Sequence, residues 1–412
     1  MEGITSGGAV NLVKLRGSWG RIGDINGLIS HGASYAPATE DYYAIFGPDS
    51  SREIYGTSYR SLANPNLRWE YTDQWGLGLD LTFLRNRLDI TVDYYNKTTN
   101  RLIAPMPIPD MMGIPTAPMD NIGTVNNKGW EFSVNFSDRT KSVRGYSVWG
   151  MLNTNRVKVT DRGLNKDVLM NNSINVNSTQ LLASQVGSPL YSFYLYQTDG
   201  IFKSQDEIDN YVNAKGDKLQ SKAKPGDVKY VDVDGNGSIG SSDRVLQYNY
   251  QPKMTFSFGG TVDFRGFDLS LMFQGVAGNH IYNGLKQLLS SGRYEGGNLS
   301  TAVLDSYDFG GNYPALTLIK DDNGNFSRMS DIFLEKGDYL RLKNLTLGYT
   351  LPKSAMRAIG LSRSSLRVYF SADNLLTFTK YSGIDPEVGN FGVDRGSYPV
   401  SRIFNFGLNI NF

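Results

Sequence analysis

Between Trp75 and Tyr94 apolar and polar side chains alternate, break over a few residues, and alternate again. Trp75, Leu77, Leu79, Leu81 and Phe83 share one phase; Gln74, Gly76, Gly78, Asp80 and Thr82 share the other. After Leu84-Arg85-Asn86-Arg87 the apolar phase resumes with Leu88, Ile90, Val92 and Tyr94, set against Asp89, Thr91, Asp93 and Tyr95. Successive side chains of a strand point to opposite faces, so this is a hairpin with one apolar and one polar face. A chain that repeats the unit must bury its apolar faces against each other or turn them toward lipid.

The unit does repeat. Ten strands are legible. They run over Leu12–Gly20, the two arms of the hairpin, Trp130–Phe136, Tyr146–Asn153, Met254–Phe264, Phe267–Phe273, Tyr339–Leu351, Leu366–Phe370 and Phe404–Phe412. In Tyr146–Asn153 both faces carry apolar groups, which leaves its orientation open. The phase of Tyr339–Leu351 slips near Lys343, which predicts a bulge. Connections around 84–87, 137–145, 265–266 and 352–363 are short; those around 21–68, 97–127, 154–250, 277–338 and 376–398 are long. Short and long alternate strictly, as in an up-and-down membrane barrel with tight periplasmic turns and long external loops. A soluble sandwich also alternates, but its strands average about five or six residues and long loops confined to one end are rare in it. The fold expected is therefore all-β, an antiparallel up-and-down transmembrane β-barrel of about ten to twelve strands.

Composition fits. The 412 residues include 45 Gly and 25 Tyr, which suits tight turns and aromatic girdles. Mean hydropathy is −0.34, and no apolar run approaches the roughly 20 residues of a membrane helix. Barrel strands need only about 9–11 residues, every second one polar. The net charge of +1 gives no field to recruit nucleic acid. There is no Cys, which removes disulfides and thiolate chemistry. Met1–Ser6 carries no basic region followed by an apolar run. The expectation is that residues 1–412 are the C-terminal part of a longer exported protein, without signal peptide.

The sharpest local motif is Asp232-Val233-Asp234-Gly235-Asn236-Gly237-Ser238-Ile239-Gly240-Ser241-Ser242-Asp243. Calcium takes six to eight oxygens from a loop that bends back on itself. Asp232, Asp234 and Asn236 offer side-chain oxygens at positions 1, 3 and 5, Gly237 permits the turn, and Ser238 offers its carbonyl. Asp243 stands where such loops usually carry a bidentate Glu, and its shorter arm weakens or shifts the site. An Asx-rich turn needs no metal, but agreement across twelve positions favours Ca2+ bracing an external loop.

Catalytic constellations are thin. His31 and His280 are the only histidines, and no phosphate-binding glycine loop lies between a strand and a helix. Asp80, Asp89, Asp93, Asp263 and Asp268 fall on polar strand faces and read as groups lining a wet lumen, not as a glycosidase pair. On that facing, Leu79→Arg is expected to be costly and the same change at Asp80 mild. Tyr35, Tyr42, Tyr43, Phe46, Tyr55, Tyr59, Tyr211, Tyr282 and Tyr294 stand in the long loops, suited to sugars, peptides or a partner protein.

Several segments then look familiar in order: Asn64-Pro65-Asn66-Leu67-Arg68-Trp69-Glu70, Asn121 to Glu131, Asp199-Gly200-Ile201-Phe202, Lys224 to Asp232, Asp243-Arg244, Gly266-Phe267-Asp268-Leu269, Phe273-Gln274-Gly275, Tyr339 to Leu345, and Ser371-Ala372-Asp373-Asn374-Leu375. The set resembles the C-terminal barrel half of the SusC/RagA family of TonB-linked outer-membrane proteins. The resemblance implies a 22-stranded barrel closed by an N-terminal plug, and import of glycans or peptides across a Gram-negative outer membrane, powered by the TonB complex. It also implies a SusD-like lipoprotein lid on the external loops. No substrate-binding residue of the family transfers to this chain. Phe412 resembles the terminal aromatic read by the barrel-assembly machinery. Two other functions compete: a passive outer-membrane porin, and a soluble calcium-dependent glycan-binding β-protein.

Overall fold

The computed structural model describes residues 10–26, 38–46, 52–59, 62–106, 108–114, 116–140, 145–161, 169–170, 175–176, 179–292, 297–317, 320–358, 360–361 and 363–411. His31, Tyr35, Tyr294 and Phe412 lie outside them, as do the side chains of Tyr42, Tyr43, Phe46, Tyr55 and Tyr59.

Ten long strands form one antiparallel sheet in chain order. They are β1 (Val10–Asp24), β2 (Glu70–Phe83), β3 (Leu88–Pro105), β4 (Met119–Asp138), β5 (Gly145–Thr154), β6 (Met254–Phe264), β7 (Phe267–Ala277), β8 (Tyr339–Thr350), β9 (Ser365–Thr379) and β10 (Ile403–Asn411). An eleventh strand, Arg156–Asp161, joins β4 beyond the end of β5. Each strand read from the sequence is present, as is the bulge: the β7–β8 register shifts between Met272 and Phe273 and leaves Lys343 unmatched in the ladder. That extra residue lets Leu340 and Leu342 share a face with Leu345 and Leu347.

The strands are longer than the alternation suggests. β3 and β4 stay paired out to Pro105 and Met119, so most of the loop expected at 97–127 is ladder. Asn, Thr and Lys crowd both faces there. Once both faces meet water the period-two signal disappears, while the backbone bonds continue.

Cross-strand register makes the two faces explicit. Leu15, Leu79, Val92, Phe132, Leu152 and Phe256 follow one another across six strands. The next residues along, Lys14, Asp80, Thr91, Ser133, Met151, Ser257, Gln274 and Arg341, form the row on the other face. The apolar face is open: Leu15 is 77% and Phe406 83% exposed. β5 is oriented by these partners. Tyr146, Val148 and Leu152 take the apolar face, and Trp149 the polar one, where its indole covers Gly259. Among the described residues no helix is long and apolar enough to cross a membrane.

The short connections behave as read. Arg265 and Gly266 both have positive φ, 50° and 93°, and close β6 onto β7 through a two-residue turn. This is the left-handed pair whose twist matches that of the strands it joins.

The sheet holds little buried apolar volume. The largest buried cluster lies in the long connections: Leu181, Leu182, Phe193, Leu195, Tyr282, Phe326, Met329, Phe333 and Val393. Three loops, following β5, β7 and β9, thus fold into one packed body at the open end of the wall.

Candidate functional site

The polar face carries charge in matched pairs. Arg16 on β1 donates to Asp80 on β2 at 2.7 and 2.9 Å and to Asp93 on β3 at 3.0 Å. Arg367 on β9 reaches across β8 to Asp268 on β7 at 2.9 Å. Asp263 lies directly opposite Asp268 in the ladder, and the guanidinium offsets that like-charge juxtaposition. Asp89 accepts from the Thr82 hydroxyl at 2.9 Å. These carboxylates line the polar face as read, three of them held by arginine. The mild outcome expected for Asp80→Arg is corrected here: the new guanidinium would sit beside Arg16 and break its main ion pair.

The recognised motifs meet one another in space. Asn64 donates to the Asp120 carboxylate at 2.9 Å, and Asn121 exchanges bonds with the Arg68 backbone, accepting at 2.7 Å and donating at 2.7 Å. Ile201 pairs with Val228, so Asp199-Gly200-Ile201-Phe202 and Lys224–Asp232 are two sides of one ribbon. Asn344 donates to Asp373 at 2.7 Å between β8 and β9. These are latches between neighbouring segments.

The loop body is cross-braced by buried polar groups. Gln220 bonds the Val228 carbonyl and Asn323, each at 2.8 Å, and Asn325 donates to Asp227 at 2.7 Å. Burial pushes the Asp227 carboxyl up against the bonds it accepts from Asn325 and Lys224. The Tyr230 hydroxyl donates to the Gly324 carbonyl at 2.7 Å, and Thr198 donates to Asp331 at 2.5 Å. Tyr282 is fully buried, its hydroxyl on Gln287 at 2.8 Å. Tyr211 packs edge-on to Phe202 and donates to the Tyr230 carbonyl at 2.6 Å. Both tyrosines were candidates for surface contact; Tyr282 is core, and Tyr211 spends its hydroxyl inside the body.

In the Asp232–Asp243 loop, carboxylate oxygens of Asp232, Asp234 and Asp243 come within 4.8 Å of one another. Asp243 is fully buried and accepts from the backbone N–H groups of Val233 at 2.8 Å and Gly240 at 2.7 Å. Asp232 accepts from Gly235 at 2.9 Å and Gly237 at 2.8 Å. Bonds from Ser242 and from the Asn236 backbone hold the Asp234 carboxyl below its ordinary value. The Asn236 amide donates to Asp234 at 2.7 Å, and its oxygen accepts from the Ser238 N–H and hydroxyl at 2.9 and 2.7 Å.

Comparison with known proteins adds to this geometry. A family model described as TonB dependent receptor-like, beta-barrel matches residues 6–375. The TonB-dependent receptor P3 of Formosa agariphila is 31% identical over 93% of the chain and 39% of its own length. The TonB-dependent receptor SusC of Bacteroides thetaiotaomicron is 28% identical over 97% of the chain and 37% of its own length. Among solved structures, the RagAB peptide transporter superposes with a TM-score of 0.72 at 25% identity, covering 99% of the chain and 42% of that chain. The chain thus spans about two fifths of the length of the relatives it matches.

Proposed function

The chain belongs to the TonB dependent receptor-like β-barrel family, and from that premise we propose that it supplies ten wall strands and the folded external loops of an energised importer of glycans or peptides. The barrel lies in the Gram-negative outer membrane and crosses it many times. The observation that carries the reading is the two-faced wall: an apolar row outward across six strands, a mostly polar and charged row inward, with the folded loops packed at one end. Among the described residues β1 and β10 each pair on one side alone. Lipid cannot satisfy free backbone groups, so the open edges of β1 and β10 call for further pairing, as in a larger barrel.

The partners follow from the same reading. The TonB complex supplies energy from the periplasm, and a SusD-like lipoprotein closes over the loop body, whose braced core makes it a rigid seat. The test is uptake by the full-length protein. Heat-modifiable migration, extraction only in detergent, and substrate uptake that stops when the TonB complex is removed are the expected results. Uptake that persists without that complex makes the protein a passive pore and ends the importer reading.

A second reading concerns the Asp232–Asp243 loop, where three carboxylates converge. Ca2+ held there by Asp232, Asp234 and Asp243 would neutralise charge that the loop otherwise meets only with neutral hydrogen-bond donors. It would stiffen the loop and take no part in transport chemistry.

A further inference from the structure

A cavity of about 560 Å3 opens where the strand Arg156–Asp161 leaves the wall and the loop body begins. Arg156, Lys158 and Lys253 line it, and no carboxylate does among the described residues. None of the three cations has an ion-pair partner among the described residues. His280 lies flat on Tyr248, ring centroids 4.0 Å apart and 16° from parallel. The His280 Nδ1 and Asn155 Oδ1 atoms are buried without a hydrogen-bond partner. Buried polar atoms left unpaired are rare and point to something that completes them. Burial lowers the His280 pKa, so the ring is neutral at pH 7 and one ring nitrogen accepts.

These features together select a ligand. Unpaired cations ask for an anion. The buried Asn155 oxygen asks for a donor and the His280 Nδ1 for a partner, and sugar hydroxyls, which both donate and accept, supply both. The flat Tyr248–His280 pair offers an apolar face for a pyranose ring.

Position selects the source. Arg156 stands opposite Lys128, and Lys158 opposite Asn126, in the β4 ladder. Lys128 and Asn126 share the phase of Trp130, the outward face. Trp75, Tyr94 and Trp130 run as a line of rings there, with centroids 5.3 and 4.9 Å apart. Arg156 is therefore one same-face step beyond this aromatic girdle and Lys158 two, about 7 Å per step. Aromatic belts sit at the membrane interface, so basic groups just past them stand at headgroup level.

We propose that this cavity is a binding site for an anionic saccharide, and that its occupant is the phosphorylated sugar headgroup of an outer-leaflet glycolipid. The assignment rests on the outward facing of Arg156 and Lys158 and goes beyond import.

The test uses the full-length protein in detergent and an Arg156→Gln/Lys158→Gln variant, with three probes: bisphosphorylated lipid A, dephosphorylated lipid A, and glucose 1-phosphate. Binding is read by native mass spectrometry and thermal shift. The wild type should retain the bisphosphorylated lipid, and the variant should bind it at least about tenfold more weakly, having lost two charge-assisted contacts. The dephosphorylated lipid should bind both proteins alike and weakly. Variant-sensitive binding of glucose 1-phosphate alone supports an anionic-sugar site with a soluble source. Equal retention by wild type and variant, or no preference for the phosphorylated lipid, overturns the proposal. Heat-modifiable migration of both proteins is scored separately, so loss of the site and loss of the barrel reading are told apart.

Discussion

The Arg341 guanidinium donates to the Asp385 carboxylate at 2.7 Å, with the arginine side chain only 3% exposed. Arg341 belongs to β8 and Asp385 to the loop after β9, so the pair ties wall to loop body. Arg341 also meets Glu387 at 3.1 Å and Thr377 at 2.9 Å, while Asp385 accepts from the Glu387 and Val400 N–H groups at 2.9 and 3.0 Å. Breaking one arm of a buried pair leaves a desolvated charge, so Asp385→Asn should destabilise the protein by about 3 kcal/mol, the low end because Glu387 remains. Chemical unfolding of the full-length protein in detergent measures it.

The same carboxyl sets a pH dependence. Burial pushes the Asp385 pKa up, but the Glu387 N–H, the Arg341 guanidinium and the Val400 N–H outweigh it and hold the group below its ordinary value. A carboxyl with a depressed folded pKa adds stability that is present above the unfolded value, near 4, and is lost as pH falls through the folded one. The stability difference between wild type and Asp385→Asn should therefore be constant above about pH 5 and shrink below about pH 4. A difference that stays constant down to pH 2 contradicts the pairing.

Facing on the wall has a direct test. Leu79 stands in the outward row between Leu15 and Val92, and Ser133 in the inward row between Thr91 and Met151. Leu79→Arg should cost about 2–4 kcal/mol at mid-bilayer depth, and Ser133→Arg should be mild. Asp80 is unsuitable as the inward control because of Arg16. Folding yield into lipid vesicles compares the two variants; equal tolerance would contradict the facing.

What was legible in the sequence follows from which signals depend on solvent. Wherever lipid lies on one side and water on the other, the alternation is strong, and β6 is read to the residue. The slip at Lys343 on β8 was readable for the same reason, since a bulge shifts phase. Past the membrane both faces of β3 and β4 are wet, and the last nine residues of β3 and the first nine of β4 looked like loop. The loop body was not legible at all. Its core joins Leu181, Tyr282 and Val393 from three separate connections, and no local period records a contact of that range. Tyr282 illustrates the loss: a tyrosine in a polar loop reads as surface, and only the packing of Phe333 and Met329 around it makes it core. Of the five expected calcium ligands, the three carboxylates converge, and Asn236 joins them through its amide bond to Asp234.

The β6–β7 turn gives a sharper case of local chemistry. Gly266 sits at φ 93° with the Thr350 carbonyl 2.9 Å from where a Cβ would stand. Gly266→Ala must accept left-handed strain and that contact together, and should cost about 1–2 kcal/mol. Arg265→Asn, which produces the Asn-Gly pair favoured in such turns, should be neutral or stabilising. Thermal unfolding of both variants decides; an Ala as stable as wild type would rule out the tight turn.

The Asp232–Asp243 loop separates a metal from a self-capped turn. Asp243 is fully buried and caps two N–H groups, so Asp243→Ala should weaken the loop with or without calcium and discriminates nothing. Asp234 is exposed, accepts the Asn236 N–H at 3.0 Å and its amide at 2.7 Å, and bonds the Ser242 hydroxyl. Asp234→Asn keeps an acceptor oxygen but removes the charge. If calcium occupies the loop, millimolar CaCl2 should raise the melting temperature of the wild type and leave Asp234→Asn unmoved, while both melt alike in chelator. A self-capped turn predicts the opposite pattern: no calcium shift in either protein, since every carboxylate is already answered by backbone N–H groups. A wild type indifferent to calcium would therefore remove the metal from the loop and leave its Asx turns as the whole account.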